Sequence, residues 1–340
     1  MPNKVLRCLL PAVLCLSPIK AAQGQDFFAG KTITISTFTP PGGSYDTYAR
    51  LLARHIGRFI PGHPTVIVSN QPGAGGLVAL NYAGKIAPRD GTFLTLVGVG
   101  MLLQEATGGQ GMQVSLRDFH WIGNFSKVNN AIVTEKTSRT KTILDAMKQD
   151  VLLGSVGIGS IDAQLPAAFN ALLDTHFKVV FGYKGSKEIL LAMERGEVEG
   201  KLNGWSAFKS EMPPERLARL NVLLQVGLAP DPDLPNVPLF SDLLKADAQK
   251  AAVAKFLSLS MAISRPLAAT PDVPKDRVEI LRRAFDAALK SPELLAEAKK
   301  SGFDINPMTG EEVQNGIERI LNAPKDVIAR SKAAIETPTK

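Results

Sequence analysis

One arrangement occurs twice in this chain: an apolar strand pattern, a loop of glycine and serine, and then an amphipathic helix pattern. The first copy has its strand at 33–36 and its loop at 40–46, and the second has its strand at 151–154 and its loop at 157–160. The free N–H groups and positive dipole end of a helix N-terminus attract negative charge, and glycine lets the backbone approach a ligand closely. Two such loops, over 100 residues apart, predict two lobes that close on one acidic molecule.

Strand and helix patterns alternate along most of the chain, which predicts the α/β class with a mostly parallel sheet and helices on both faces. With 340 residues, two domains are expected. A second α/β unit that begins near 125–132 and ends near 221–227 would be inserted within the first, with two crossovers as a hinge. The predicted strands lie at 32–38, 65–69, 93–97, 131–134, 151–155, 178–181 and 221–226, and the C-terminal third is predicted to be helical.

The N-terminus has the pattern of a secretory signal peptide over residues 1–24. Lys4 and Arg7 precede the apolar segment 8–16, and small residues follow at Ala21, Ala22 and Gly24. A retained membrane anchor is the alternative, but it would need about 20 apolar residues. The pattern predicts export to the periplasm and removal of the segment.

Both cysteines, Cys8 and Cys15, fall within this segment, so the mature protein is expected to have none. Leu14 and Arg7, which precede them, do not fit a lipidation site. Export without disulfides is typical of a large bacterial periplasmic domain. Loss of the three cations before residue 25 would reduce the net charge from +7 to +4. The remaining cations form no stripe with aromatic residues, so nucleic-acid binding is not indicated.

Glycine-rich loops after the first three strands supply eight of the thirteen candidate ligand-binding residues. In the loop 40–46, two prolines and two glycines occur together, which is more than a helix cap needs. Asp46 is ambiguous there, since it could cap the helix or accept from a ligand hydroxyl or amine. The loops 70–76 and 98–100 would lie beside it at the carboxyl ends of neighbouring strands. From these loops we expect ligand contacts at Pro41, Gly42, Gly43, Ser44, Asp46, Ala74, Gly75 and Gly100.

The inserted unit supplies the opposing candidates, namely Gly157, Gly159, Ser160, Tyr183 and Trp205. Lys184 could add a cation at the same place or be solvated, and Trp205 could wall the pocket or belong to the core. We expect a cleft that offers mainly neutral donors and little fixed cation. Neutral N–H groups suit a carboxylate because they lose less hydration on burial than a lysine does.

Candidate enzyme motifs in this sequence are incomplete. Gly30-Lys31-Thr32 precedes a strand instead of following one, unlike a P-loop, and the segment 204–208 lacks the last glycine of a nucleophile elbow. The four histidines show no metal-ligand spacing. We therefore predict no catalytic residue, no metal and no cofactor. A secreted hydrolase that uses Ser206 or Ser160 remains the alternative from a different class.

The ordered set of motifs resembles the periplasmic substrate-binding receptors of tripartite tricarboxylate transporters, the Bug family. The family's Pro-Pro-Gly-Gly-Ser-x-Asp and Asn-x-Pro-Gly-Ala-Gly-Gly motifs are matched in order over nearly the whole mature chain. Two positions depart from the family pattern: Gln164 stands where a histidine is usual, and Gly182 replaces a proline. The matching segments are 40–46 with Ala49 and Arg50, 70–76, 87–92, 182–185, 195–198 and 234–238.

The resemblance implies a two-lobed venus-flytrap fold of the type II periplasmic-binding-protein class, with lobe 1 at 25–128 and 225–340 and lobe 2 at 129–224. It implies a small carboxylate ligand clamped by the loops 40–46 and 157–160 through N–H groups, hydroxyls and bridging water. It also implies a monomer that delivers this ligand to the membrane permease subunits of a tripartite tricarboxylate transporter. A receptor that serves a signalling partner is the alternative within the same class.

Overall fold

The computed structural model describes residues 27–109 and 111–336. The predicted signal peptide, with both cysteines, lies outside the described residues. Within the described part of the chain the strands are β1 (Thr32–Thr37), β2 (Thr65–Asn70), β3 (Phe93–Leu96), β4 (His120–Asn124), β5 (Asn130–Glu135), β6 (Val151–Gly154), β7 (Phe177–Val180), β8 (Gly200–Gly204), β9 (Leu220–Val226), β10 (Pro266–Ala269) and β11 (Met308–Thr309).

The helices alternate with these strands and then dominate the C-terminal third. Three short 3₁₀ turns, at Gly57–Phe59, Ala74–Gly76 and Leu116–Asp118, supplement them. The α-helices are α1 (Ser44–Ile56), α2 (Leu77–Lys85), α3 (Val99–Ala106), α4 (Ile143–Ala146), α5 (Ile161–Leu173), α6 (Ser186–Glu194), α7 (Trp205–Glu211), α8 (Pro214–Leu217), α9 (Phe240–Leu243), α10 (Ala248–Met261), α11 (Lys275–Lys290), α12 (Pro292–Lys300), α13 (Gly310–Leu321) and α14 (Lys325–Ile335).

Two sheets form the centres of two lobes. The first has the strand order β11-β4-β10-β3-β1-β2, and the second has the order β7-β6-β8-β5-β9. The chain passes from the first sheet to the second between β4 and β5, and it returns to the first sheet at β10. The α/β class with two sheet-and-helix lobes is therefore confirmed.

The prediction of a mostly parallel sheet is wrong, because both sheets are mixed. In the first sheet β1 pairs in parallel with β2 and β3, whereas β10 is antiparallel to β3 and β4, and β11 is antiparallel to β4. In the second sheet β5 is antiparallel to β8 and β9. The sequence patterns missed β4, β8, β10 and β11. Segments such as Pro-Leu-Ala-Ala in β10 have weak strand propensity and become strands through their neighbours.

Local patterning explains how the first lobe places its first loop. Ile33 and Ile35 lie on the buried face of β1, and α1 buries residues at helical spacing. Tyr48 of α1 packs edge-on against Phe125, with 5.6 Å between ring centroids, and Phe125 packs in the same way against Phe285. This aromatic group fixes α1 against the sheet, so that its N-terminus lies at the carboxyl end of β1.

The second lobe is held to the C-terminal helices by an apolar layer. Phe169 of α5 is fully buried and packs against Phe177 of β7 and Phe240 of α9, with ring centroids 6.2 and 4.9 Å away. Helix α14 packs against both α5 and α10. The core is therefore continuous from the second sheet into the helices that follow it in the chain.

We expect Phe169→Ala to reduce the free energy of unfolding by about 3–5 kcal/mol, because a large ring is removed from a site that cannot collapse fully. Leu144→Ala, at a side chain that is 59% exposed, should change it by no more than about 0.5 kcal/mol. Urea unfolding followed by circular dichroism measures both. Equal effects of the two substitutions would show that Phe169 does not anchor this layer.

Candidate functional site

A cavity of about 430 Å³ lies between the two lobes, at the carboxyl ends of strands from both sheets. Its volume is in the ordinary range of small-molecule sites. The walls are mostly apolar, with a few polar groups. The lining residues are Phe38–Pro40, Gly43–Tyr45, Pro72–Gly75, Gly98–Gly100, Ser264 and Arg265 from the first lobe, and Asn130, Val156, Ser160–Asp162, Gly182–Ser186 and Lys201–Gly204 from the second.

The loop after β1 is held by Asp46, which lies behind the cavity wall. The Asp46 carboxylate accepts hydrogen bonds from the Gly42 N–H at 2.7 Å, from Arg50 Nε at 3.0 Å and from Asn70 Nδ2 at 2.8 Å. Burial acts to raise the pKa of Asp46, but these hydrogen bonds and the Arg50 charge outweigh it and hold the pKa below its ordinary value. Asp46 thus fixes the loop that presents Gly43 and Ser44 to the cavity.

The loop after β6 is organised in the same way by Asp162. Asp162 Oδ1 accepts from the hydroxyls of Ser155, at 2.7 Å, and of Ser160, and Asp162 Oδ2 accepts from the Val156 N–H at 3.3 Å. Burial raises the pKa of Asp162, against the hydrogen bonds from Ser160 and Ser155 and the charge of Lys201. This carboxylate borders the cavity, but both of its oxygens are engaged within the protein.

At each of three close contacts between the two lobes, at least one of the residues is a glycine, which has no side chain. A methyl group placed on Gly75 would lie 2.7 Å from the Ser160 nitrogen, and one on Gly100 would overlap the Gly159 carbonyl oxygen. A methyl group on Gly185 would likewise lie 2.8 Å from Pro40 Cγ. Side chains at these positions would hold the lobes apart, so glycine allows the cleft to close into a cavity.

Four helices of eight or more residues begin at the cavity wall. Their N-cap residues are Gly43 for α1, Gly98 for α3, Ser160 for α5 and Gly185 for α6, and each lines the cavity. Three of these N-cap residues are glycines, which have no side chain to act as a cap, and the Ser160 side chain accepts no hydrogen bond from α5. The dipoles therefore add a positive potential at one place, which favours an anion.

The expectation of little fixed cation is wrong, because Lys201 and Arg265 both line the cavity and are buried. Lys201 Nζ donates to the Ser186 hydroxyl, and burial lowers its pKa against the attraction of Glu211 and Asp162. The Arg265 guanidinium stacks over the Tyr48 ring, 4.4 Å from its centroid, and Nη1 lies 3.4 Å from Ser126 Oγ. Among the described residues no carboxylate lies within 4.0 Å of Arg265.

Two buried donors on this wall have no hydrogen-bond partner: Arg265 Nε and Asn130 Nδ2. Both side chains lie near Gly204, since a methyl group there would be 3.8 Å from Arg265 Nη2 and 3.9 Å from Asn130 Oδ1. Sequence reasoning missed both. A signal for Arg265 was present, because it is the sole charged residue in the segment 256–271.

Seven of the thirteen predicted contact residues line the cavity: Gly43, Ser44, Ala74, Gly75, Gly100, Ser160 and Tyr183. Gly100 belongs to the first turn of α3, where the sequence indicated a loop. Six lie off the wall: Pro41, Gly42, Asp46, Gly157, Gly159 and Trp205. Trp205 packs on Phe208 in the core of the second lobe, with 6.0 Å between ring centroids. Ligand contact at all thirteen positions stays a prediction.

Aromatic and aliphatic side chains provide the rest of the wall. Phe38 and Tyr45 form a tilted pair, with 4.5 Å between ring centroids, and the Tyr45 hydroxyl donates to the Ser264 carbonyl at 2.7 Å. Val99 and Leu202 extend this surface from the two lobes. Such walls suit a ligand with an apolar body between its charged groups.

Among residues 27–109 and 111–336, no three side chains of histidine, cysteine, aspartate or glutamate are grouped as a metal site requires. In the same part of the chain, no helix has both the length and the apolar character that spanning a bilayer requires. Of the two serines weighed as nucleophiles, Ser206 is fully buried away from the cavity and Ser160 donates to Asp162.

Comparison with known proteins gives distant relatives in sequence. No protein-family model matches the chain. It is 24% identical over 288 residues to the UPF0065 protein in the tcbD-tcbE intergenic region of Pseudomonas sp. strain P51, covering 83% of this chain and 81% of that protein. It is also 24% identical over 280 residues to a UPF0065 protein of Agrobacterium vitis, covering 81% of this chain and 76% of the relative.

Solved structures share the fold over almost their whole length. The periplasmic binding protein BugD superposes with a TM-score of 0.70 at 18% identity, covering 89% of this chain and 97% of that one. MatC from Rhodopseudomonas palustris with bound malate gives 0.67 at 19% identity, with coverages of 90% and 99%. R. palustris Rpa4515 with adipate gives 0.69 at 19% identity, with coverages of 89% and 97%. The two-lobed periplasmic-binding-protein fold and the resemblance to Bug proteins are confirmed.

We expect Gly100→Ala to keep the lobes from meeting, because the added methyl group would overlap the Gly159 carbonyl oxygen. Gly157→Ala is the matched control, since its methyl group would lie 3.4 Å from the nearest atom, the Gly75 nitrogen. Small-angle X-ray scattering should give a larger radius of gyration for Gly100→Ala and the parent value for Gly157→Ala. Identical scattering from both variants would contradict the tight backbone contact.

Asp46→Asn should lower stability at pH 7 by about 1–3 kcal/mol, because a buried acceptor of charge-assisted hydrogen bonds is lost. The pKa of Asp46 is depressed in the folded state. Its contribution is therefore present above the unfolded-state pKa of about 3.9, and it is lost as the pH falls through the folded-state pKa. Urea unfolding at pH 7 and at a series of values below about 4 should show the difference between variant and parent shrinking with acidity. A difference that stays constant, or one matched by Asp118→Asn at an exposed site, would contradict this role.

Proposed function

We propose that this chain is an exported, non-enzymatic solute receptor that binds a small organic carboxylate between its lobes. The observation that carries the proposal is the buried guanidinium of Arg265, 3% exposed, which faces the cavity without a carboxylate partner in the described chain. A buried charge is costly unless it is paired. A ligand carboxylate at this position would supply the missing counter-charge.

The four converging helix N-termini support the same ligand chemistry. They belong to both lobes, so an anion between them would interact with both at once. A ligand that contacts both lobes stabilises the closed form by its differential affinity for closed over open. We take the lobes to be 25–128 with 225–340, and 129–224, hinged at the two crossovers.

We propose further that the mature protein acts in the periplasm, after removal of residues 1–24, as a monomer. In this role it delivers its ligand to the permease subunits of a tripartite tricarboxylate-type transporter. The similarity to BugD, and to solved relatives with malate and adipate, supports a receptor of this kind. The closed arrangement of the two lobes would be the surface that the permease recognises.

A thermal-shift screen of the protein from Gln25 onward, refolded to strip ligand, tests the proposal against mono-, di- and tricarboxylates, malate and adipate included. A ligand at a hundredfold excess over its Kd stabilises by about 2.7 kcal/mol, which should raise the Tm by several degrees. No shift with any acid, for a well-folded and stripped sample, would overturn the proposal.

Arg265→Gln should weaken binding of any acid found in this screen by about 100-fold or more, because the ligand carboxylate loses a buried charged partner. The substitution should change the free energy of unfolding of the unliganded protein far less than it changes the free energy of ligand binding. Arg283→Gln removes the same charge at an exposed position and should leave the Kd unchanged. Isothermal titration calorimetry gives the Kd of the acid for the parent and both variants. Equal Kd values for the parent and Arg265→Gln would show that Arg265 does not bind the ligand carboxylate.

A further inference from the structure

More cations than acids line the cavity wall. Lys184, Lys201 and Arg265 are the cations, and Asp162 is the sole acid among the described residues that line the cavity. Of these four, Lys184 is exposed, whereas the other three are buried. The wall is therefore rich in donors and poor in anionic acceptors.

Asp162 is not free to receive a donor from a ligand. Its Oδ1 accepts from the hydroxyls of Ser155 and Ser160, and its Oδ2 accepts from the Val156 N–H. The carboxylate also lies close enough to Lys201 for their charges to interact. A ligand ammonium group would have to displace these internal hydrogen bonds to reach it.

The unsatisfied groups on the same wall are donors. Arg265 Nε and Asn130 Nδ2 are buried without a partner, and both side chains lie near Gly204. An unsatisfied buried donor is costly, and an oxygen acceptor within hydrogen-bond distance would relieve that cost. A ligand nitrogen that carries only N–H bonds would not relieve it.

From this asymmetry we infer that the ligand is a carboxylic acid with an apolar body and no ammonium group, an inference that rests on the proposed receptor function. One carboxylate binds at Arg265 and Asn130, and the body packs on the wall formed by Phe38, Tyr45 and Leu202. The cavity excludes the 2-amino counterpart of the same acid. Its ammonium group would lose water and gain no anionic acceptor beside two buried cations.

Matched acids that differ only in the amine test this inference. Isothermal titration of the refolded protein would compare glutarate with glutamate, succinate with aspartate, 3-phenylpropanoate with phenylalanine, and 4-methylpentanoate with leucine. In each pair that binds, the acid without an amine should bind about tenfold tighter or more. An amino acid that binds as tightly as its counterpart would overturn the inference and leave the receptor function standing. Binding of no member of any pair, and of no other acid, would overturn both.

Asn130→Asp gives a second, independent readout. It adds an anionic acceptor beside Arg265 at almost the same volume, so the ratio of affinities between each acid and its amino counterpart should fall severalfold. Asn322→Asp adds the same charge on an exposed surface and should leave the ratio unchanged. Circular dichroism and the Tm confirm that both variants are folded. An unchanged ratio in a folded Asn130→Asp protein would show that the wall at Arg265 does not select against the amine.

Discussion

The site depends on how closely two stretches of backbone approach each other across the cleft. Gly75 and Gly100 of the first lobe lie against Gly159 and Ser160 of the second, with no room for a methyl group at the first two positions. This contact narrows the cleft to a partly enclosed cavity. In a less polar environment every charge on the wall acts more strongly than it would at a surface.

Burial also makes it important that each charged side chain on the cavity wall has a counter-charge. The first lobe brings Arg265 to the wall with an aromatic ring beneath it and no carboxylate of the described chain within 4.0 Å. In the second lobe, the buried Lys201 donates to the Ser186 hydroxyl and is attracted by the charges of Glu211 and Asp162. In the proposed receptor the ligand carboxylate supplies the counter-charge of Arg265, so the same electrostatic interaction favours both ligand binding and closure of the lobes.

The parts of the site that could be predicted are those encoded locally. A strand, a glycine and serine loop and a helix follow each other within about fifteen residues in both lobes, so Ser44 and Ser160 were found from the sequence. Lys201 and Arg265 were not found, because β8, which contains Lys201, and β10, which begins directly after Arg265, carry little strand pattern and reach the cavity only through long-range pairing. The locally encoded strands and helices were enough to predict the α/β class. The antiparallel strands that make both sheets mixed were missed, because their pairing is long-range.

The chain has two tryptophans, and the fold places one in each lobe. Trp121 lies within β4 of the first sheet, fully buried, and Trp205 lies at the start of α7, in the core of the second lobe. Neither lines the cavity, whereas Tyr45 and Tyr183 do. The indole emission of this protein therefore reports the integrity of its lobes, and the environment of a bound molecule is sensed by tyrosine.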